Sequence, residues 1–271
     1  MPAPLRPLST GELLDKTFTV YRQNFGVFFG IAILPQLALY AVLTIMGVSL
    51  KGRSAAAAGA AIGAALLYFA GSIIAGAVTQ AATTFAVSSV YLDQPTSVRS
   101  AYSHAKGRIL AVIGVTIMFA IAFGIGSMLL LIPGLLVLMW YSLALPATVI
   151  ERTGVSASFT RSKQLSQGSG FRVLVVYVLM LILVLAVSVG VGMLIGLAIA
   201  PLKESPLLRQ TLAQLSNYLV GALLAPFITI ALTLLYYDQR VRKEAFDIAH
   251  MMTLLPGAET ASASATAGLI S

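Results

Sequence analysis

Six long apolar stretches, near 25–49, 57–91, 109–132, 134–150, 171–200 and 211–237, leave this chain few folds to choose from. A membrane-crossing helix needs about 20 apolar residues, each rising 1.5 Å through a hydrocarbon core roughly 30 Å thick. The fourth stretch is short and is expected to continue past Glu151; the second is long and is expected to project into water at one end. Charged residues are only 10% of the 271, and apolar residues are 58%. Soluble domains carry roughly 25% charged residues, and mean hydropathy here is +0.93. A soluble fold cannot hide that much apolar surface behind so few charges. The expected class is an all-α integral membrane protein with six transmembrane helices. With no cysteine, a disulfide framework, a thiolate metal site and a cysteine nucleophile are excluded.

The net charge of +8 has a positional cause. Of the 17 Lys and Arg, 13 fall on alternate connections: Arg6, Lys16, Arg22; Arg99, Lys106, Arg108; Arg152, Arg161, Lys163, Arg172; Arg240, Arg242, Lys243. The intervening connections hold the other four, Lys51, Arg53, Lys203 and Arg209. Positive residues stay on the cytoplasmic side, so both termini are expected there. The first 24 residues are polar and include Glu12 and Asp15, so the first apolar run reads as an uncleaved helix rather than a signal peptide. Residues 1–250 read as one membrane domain. Residues 251–271 read as a flexible tail, Ala/Ser/Thr-rich from about Gly257 with Glu259 its single charge.

The segments before spans 1, 3 and 5 look alike. Ser9 and Glu12 form a capping-box pattern, followed by Leu14, Phe18, Tyr21 and Phe25 at helical spacing. A second segment from Thr96 sets Val98, Ala101, Tyr102, Ala105 and Ile109 against Arg99, Ser103 and Lys106. A third runs from Ser156 through Phe159 and Leu165. Each predicts an amphipathic helix in the membrane interface, and each ends on an arginine at the mouth of the next span: Arg22, Arg108, Arg172. The expected architecture is three repeats of interfacial helix plus transmembrane hairpin.

Proline punctuates the spans. Pro133-Gly134 predicts the turn between spans 3 and 4, and Pro35, Pro146 and Pro226 are expected as helix breaks inside apolar runs. Small residues recur four apart at Ser188, Gly192, Gly196 and Ala200, a pattern read as close helix packing or a dimer seam.

Catalytic chemistry is hard to find. No Asp, Glu, Lys, Arg or His lies deep in a span, which disfavours a proton-coupled carrier. Polar work in the membrane is left to Gln36, Gln80, Thr83, Thr84, Ser127, Ser142, Asn217, Thr229 and Thr233, all read first as interhelical hydrogen bonds. His104 and His250 fall outside the spans and read as solvated or interfacial. No cofactor, no metal and no nucleic acid is expected.

The most distinctive motif follows span 6: Tyr236-Tyr237-Asp238-Gln239-Arg240-Val241-Arg242-Lys243-Glu244-Ala245-Phe246-Asp247-Ile248. Asp238 to Arg242, Arg240 to Glu244 and Lys243 to Asp247 are i,i+4 ion-pair spacings. This ion-pair motif is expected to reach Arg161, Lys163 or Arg172 and cross-link one face of the protein.

With Leu234-Leu235 before it, that motif is similar to the closing segment of the glycerophosphoryl diester phosphodiesterase membrane-domain family, a set of bacterial polytopic proteins. Three further places resemble its pattern: Gly11 to Asp15 with Asn24-Phe25-Gly26, Ile132-Pro133-Gly134, and Arg161-Ser162 through Leu165 and Gly168 to Arg172. The resemblance covers about 1–250 and implies the membrane module alone, in a bacterial inner membrane. The phosphodiesterase itself is a soluble barrel with histidines and metal-binding acids, for which this chain has no room.

The favoured expectation is therefore a non-catalytic membrane module acting as a scaffold, assembly or regulatory partner of another membrane protein. The alternative is a transporter or lipid-handling protein that binds anionic head groups at its cytoplasmic face. Under either reading Arg161, Lys163, Arg172, Arg240 and Arg242 are the expected lipid or partner contacts; under the second, Pro35, Pro146 and Pro226 mark moving segments.

Overall fold

The computed structural model describes residues 6–50, 57–129, 131–201 and 205–244. Those residues are predominantly helical, with no strand among them, and include six helices long and apolar enough to cross a membrane. A short helix precedes two long ones three times over. First come α1 (Thr10–Gln23), α2 (Phe25–Leu50) and α3 (Ala57–Tyr91). Next are α4 (Val98–Lys106), α5 (Ile109–Leu129) and a broken pair, α6 (Leu131–Tyr141) with α7 (Ala144–Ile150). Last are α8 (Val155–Ser166), α9 (Gly170–Ile199) and α10 (Pro206–Glu244).

Local chemistry sets the short helices. Ser9 caps α1: its Oγ accepts from the Glu12 amide at 3.2 Å, and its own amide donates to Glu12 at 2.7 Å. α4 is capped in the same way by Ser97 and Ser100, one residue later than the sequence pattern places its start. The buried face of α1 is Leu13, Thr17, Val20 and Tyr21, while Phe18 and Phe25 stay more than 40% exposed on the flank. The expected apolar stripe is thus split between a packed face and an open one. α8 and α9 are joined through Gly168 at φ 74°, a conformation that glycine adopts without steric penalty.

Three of the four expected helix breaks are corrected. α2 runs through Pro35 and α10 through Pro226 without interruption. Pro133 is the third residue of α6, where its missing N–H has no helical partner to lose. α6 begins at Leu131, so Pro133-Gly134 lies inside it rather than between the two helices. Gly134 serves close approach instead: a Cβ at Gly126 would meet the Gly134 nitrogen at 3.0 Å and the Pro133 carbonyl carbon at 3.1 Å. Pro146 alone marks a break. Its ring would collide with the carbonyl four residues back, at Ser142, and the helix is interrupted at Ser142-Leu143.

The core gathers at one end of the helices. Leu13, Phe28, Ile31, Val87, Ile230, Leu234, Leu235 and Tyr236 are fully buried there. Small residues of α3, Ala77, Ala81, Ala82 and Ala86, are also fully buried and let α10 lie close. The opposite ends diverge. α9 buries no residue from Leu181 to Ile199, nor does α10 from Leu207 to Gly221. The small-residue ladder lies in this open half: a Cβ at Gly192 or Gly196 would meet nothing within 4 Å, so among the described residues it is not a packing seam.

Candidate functional site

The end of α10 is the hub of the packed half, and every described residue of the charged motif up to Glu244 is engaged. Asp238 is fully buried. It accepts the Leu8 amide at 2.7 Å, Arg242 at 2.9 Å and Arg172 at 3.0 Å. Both arginines also donate to the Leu8 carbonyl, at 2.5 Å and 2.6 Å. One backbone unit ahead of α1 is thereby held by α9 and α10 together. Gln239, equally buried, accepts Ser169 Oγ at 2.7 Å.

A second cluster lies beside it. Arg161 of α8 donates to Glu151 at 2.7 Å and pairs with Glu244 at 2.5 Å. Arg240 pairs with Glu244 at 3.1 Å and lies 5.9 Å from the Tyr236 ring centroid. The Tyr236 hydroxyl donates to Glu151. The hydrogen bond to Glu244, aided by Glu151, pushes the Arg161 guanidinium above its ordinary range. Tyr237 shares a 2.6 Å hydrogen bond with Ser88 and stacks on Tyr91 at 5.0 Å.

The structure brings four of the five expected contact residues into these clusters: Arg161, Arg172, Arg240 and Arg242. Lys163 stands apart, 5.3 Å from the Trp140 ring centroid. The i,i+4 pairs Asp238–Arg242 and Arg240–Glu244 are present. Asp247 and His250 lie outside the described residues. Lys243 instead donates to the carbonyls of Gln164, at 2.9 Å, and Gln167 at the end of α8, where a cation suits the negative end of the helix dipole. Sequence reasoning missed Glu151 and the Leu8 backbone. Glu151 carried a signal, being the one acid at the end of span 4; a backbone amide carries none.

Above the hub, between the helices, is a cavity of about 390 Å³. Its wall includes Gln36, Gln80, Thr116, Ser142, Tyr177 and Thr229, with Phe119, Leu145, Ile228 and Leu232 supplying apolar surface. Four of these, Gln36, Gln80, Ser142 and Thr229, were expected only as interhelical bonds. Thr116 Oγ1 is buried without a hydrogen-bond partner, and among the described residues the amides of Gln36 and Gln80 make no side-chain hydrogen bond either. The α6–α7 break at Ser142-Leu143 opens onto this cavity. The wall carries no charged side chain, and among the described residues no group of His, Asp and Glu could hold a metal ion.

Fold and site together have the character of a multi-pass α-helical membrane protein with a neutral polar cavity beside an ion-paired hub. Comparison with family models, with curated proteins and with solved structures found no match.

Proposed function

We propose that this chain is a non-catalytic lipid-handling or transport protein of a bacterial inner membrane, built as three repeats of interfacial helix plus transmembrane hairpin. Both termini and the ion-paired hub face the cytoplasm. Charge asymmetry supports that orientation, and the order short helix, long helix, long helix supports the repeat. The resemblance to the glycerophosphoryl diester phosphodiesterase membrane-domain family stands as part of this proposal.

The observation that carries the reading is the cavity. Unpaired amides and hydroxyls at membrane depth are costly, because lipid offers them no hydrogen bond. An amphiphilic guest satisfies them while its apolar part lies on Phe119, Leu145 and Ile228. With no charge on the wall, a bare ion is poorly served. A second reading, a scaffold or regulatory partner, has one observation in its favour: the α9 ladder at Gly192 and Gly196 meets no neighbour among the described residues.

Gly76 supplies the test. It lines the cavity, and a Cβ there meets nothing within 4 Å, so Gly76→Leu adds bulk at the cavity wall with no clash at its Cβ. Replacing a mid-helix glycine also favours the helix by about 0.5–1 kcal/mol. In proteoliposomes, transbilayer movement of fluorescent phosphatidylglycerol is expected to fall about tenfold in Gly76→Leu, with unchanged thermal stability. Equal movement in wild type, variant and protein-free vesicles sinks the proposal.

A further inference from the structure

A separate pocket of about 450 Å³ opens at the hub end, outside both ion-pair clusters. Its size falls in the range of about 300–1,000 Å³ typical of small-molecule sites. α3 contributes Phe85 and Ser88, α4 contributes Ser103 and His104, Arg108 stands at the entry to α5, and Arg152 follows α7. Its two arginines differ from those of the hub. Arg161, Arg172, Arg240 and Arg242 each face a carboxylate within 3.1 Å. Arg108 and Arg152 have no carboxylate and no side-chain hydrogen bond among the described residues. The nearest acid in sequence, Glu151, is already held by Arg161 and Tyr236.

The other lining groups are fixed in place. The His104 ring lies flat against Phe85, centroids 4.2 Å apart and planes 8° apart. Its Nδ1 is 2.9 Å from the Ser100 carbonyl, which only accepts, so Nδ1 donates. Ser88 is tied to Tyr237 and thereby to the hub. The result is a preformed concave site with two uncompensated guanidinium groups and a hydroxyl, Ser103, beside them.

We infer that this pocket binds a phosphate ester or phosphate group, with Arg108 and Arg152 as its paired cations. Guanidinium forks match phosphate oxygens in bidentate geometry, which a point charge does not. The ligand is either the head group of a membrane lipid or a soluble phosphate, and the chemistry is shared. The inference rests on the proposed lipid-handling role only for the natural source of the phosphate. The pocket is testable without it.

The test uses the full chain in nanodiscs with two probes. Native mass spectrometry reads phosphatidylglycerol retained from mixed phosphatidylglycerol–phosphatidylcholine discs. Calorimetry in phosphatidylcholine discs reads inorganic phosphate and glycerol 3-phosphate. Arg108→Gln and Arg152→Gln are each expected to weaken the binding by about tenfold or more, as loss of a charge-assisted bond does. Arg108→Lys and Arg152→Lys are expected to lose less. Arg99→Gln and Lys106→Gln, exposed charges of α4 outside the pocket, are the controls. Selective loss of retained phosphatidylglycerol assigns the pocket to lipid; selective loss of the calorimetric signal assigns it to soluble phosphate. Equal losses in pocket and control variants, or no binding of any probe by wild type, overturn the inference. Failure of Gly76→Leu to slow lipid movement would leave this outcome untouched.

Discussion

Replacing Asp238 with alanine removes the acceptor on which three donors from three parts of the chain converge. The carboxylate is wholly inaccessible, the Arg172 side chain is 19% exposed and that of Arg242 is 36% exposed. Breaking a buried ion pair by deleting one partner costs about 3–5 kcal/mol, because the other charge is left uncompensated. Arg242 is exposed enough to rehydrate, and its share belongs to the surface range of about 0–1 kcal/mol. Arg172 cannot rehydrate as freely, and the Leu8 amide loses its acceptor outright. Both arginines keep the Leu8 carbonyl, which places Asp238→Ala at the low end, about 3 kcal/mol. Asp238→Asn keeps one acceptor oxygen for Leu8 and is expected to cost about 2 kcal/mol. Arg242→Gln is expected to cost less than about 1 kcal/mol. Removing Asp238 and Arg172 together, Asp238→Leu with Arg172→Met, leaves only the half-exposed Arg242 without its carboxylate and is expected to cost less than Asp238→Ala alone. Trp140, the only tryptophan, lies beside the hub, its carbonyl accepting Ser162 Oγ at 2.7 Å. Its fluorescence during reversible unfolding in mixed micelles reports the four variants. Asp238→Ala and Arg242→Gln agreeing within about 0.5 kcal/mol would refute the reasoning, since the charge would then behave as a surface pair.

Two further predictions follow from local geometry. The Glu12 carboxyl is drawn down to about 2, chiefly by its hydrogen bond to Arg6 and then by Ser9. A depressed carboxyl stabilises above its unfolded value near 4.3, and that contribution is lost as pH falls through about 2. The α1 cap should therefore survive at pH 5, weaken as pH falls from about 4 and be gone below about 2, with a carbon-13 titration midpoint for Glu12 near 2; a midpoint near 4.3 refutes it. Gly126→Val is expected to destabilise by about 1–3 kcal/mol because its Cβ meets backbone atoms of α6. Gly192→Val, whose Cβ meets nothing within 4 Å, should leave stability of the monomer within about 0.5 kcal/mol of wild type in the same unfolding assay.

The long helices were legible because a membrane-crossing run is a length and composition signal, and neither depends on what packs against it. The i,i+4 pairs were legible for a similar reason: their geometry is internal to one helix. What the sequence hid was non-local. Pro35 and Pro226 look like Pro146 in sequence, yet only Pro146 stands at an interruption, since neighbouring groups decide whether a freed carbonyl is tolerated. The small-residue ladder of α9 and the Gly126–Gly134 pair likewise read alike. One faces open space and the other faces backbone at 3.0 Å. Arg108 and Arg152 were counted as part of the positive-inside bias; that neither meets a carboxylate, even though Arg152 follows Glu151 directly, is a non-local fact, since Glu151 is held by Arg161 and Tyr236.

α3, α7, and α5 together with the Arg108 that leads into it, contribute residues to both cavities. Along α5, Arg108 lines the basic pocket and Val115 the neutral cavity, a separation of about 10 Å at 1.5 Å per residue. In sequence, Val112, Ala147, Thr83 and Thr84 fall between the two sets of lining residues; all are fully buried, and the hydroxyls of both threonines lack a partner. An apolar layer with two unsatisfied hydroxyls is a weak seal, because closing it leaves polar groups dry. Of the three helices, α7 is the short one. It is cut from α6 at Ser142-Leu143, joined to α8 by Thr148 and Ser158 at 2.8 Å, and ended by Glu151 in the hub. If the proposed lipid-handling role holds, a guest passing from the basic pocket to the neutral cavity would displace these side chains, and α7, short and cut from α6, would be the segment to move. The hub pairs Arg161–Glu151 and Arg161–Glu244 then restrain that motion. Under the same proposal Arg161 would restrain α7 through Glu151 and Glu244, while Arg108 and Arg152 would meet the head group.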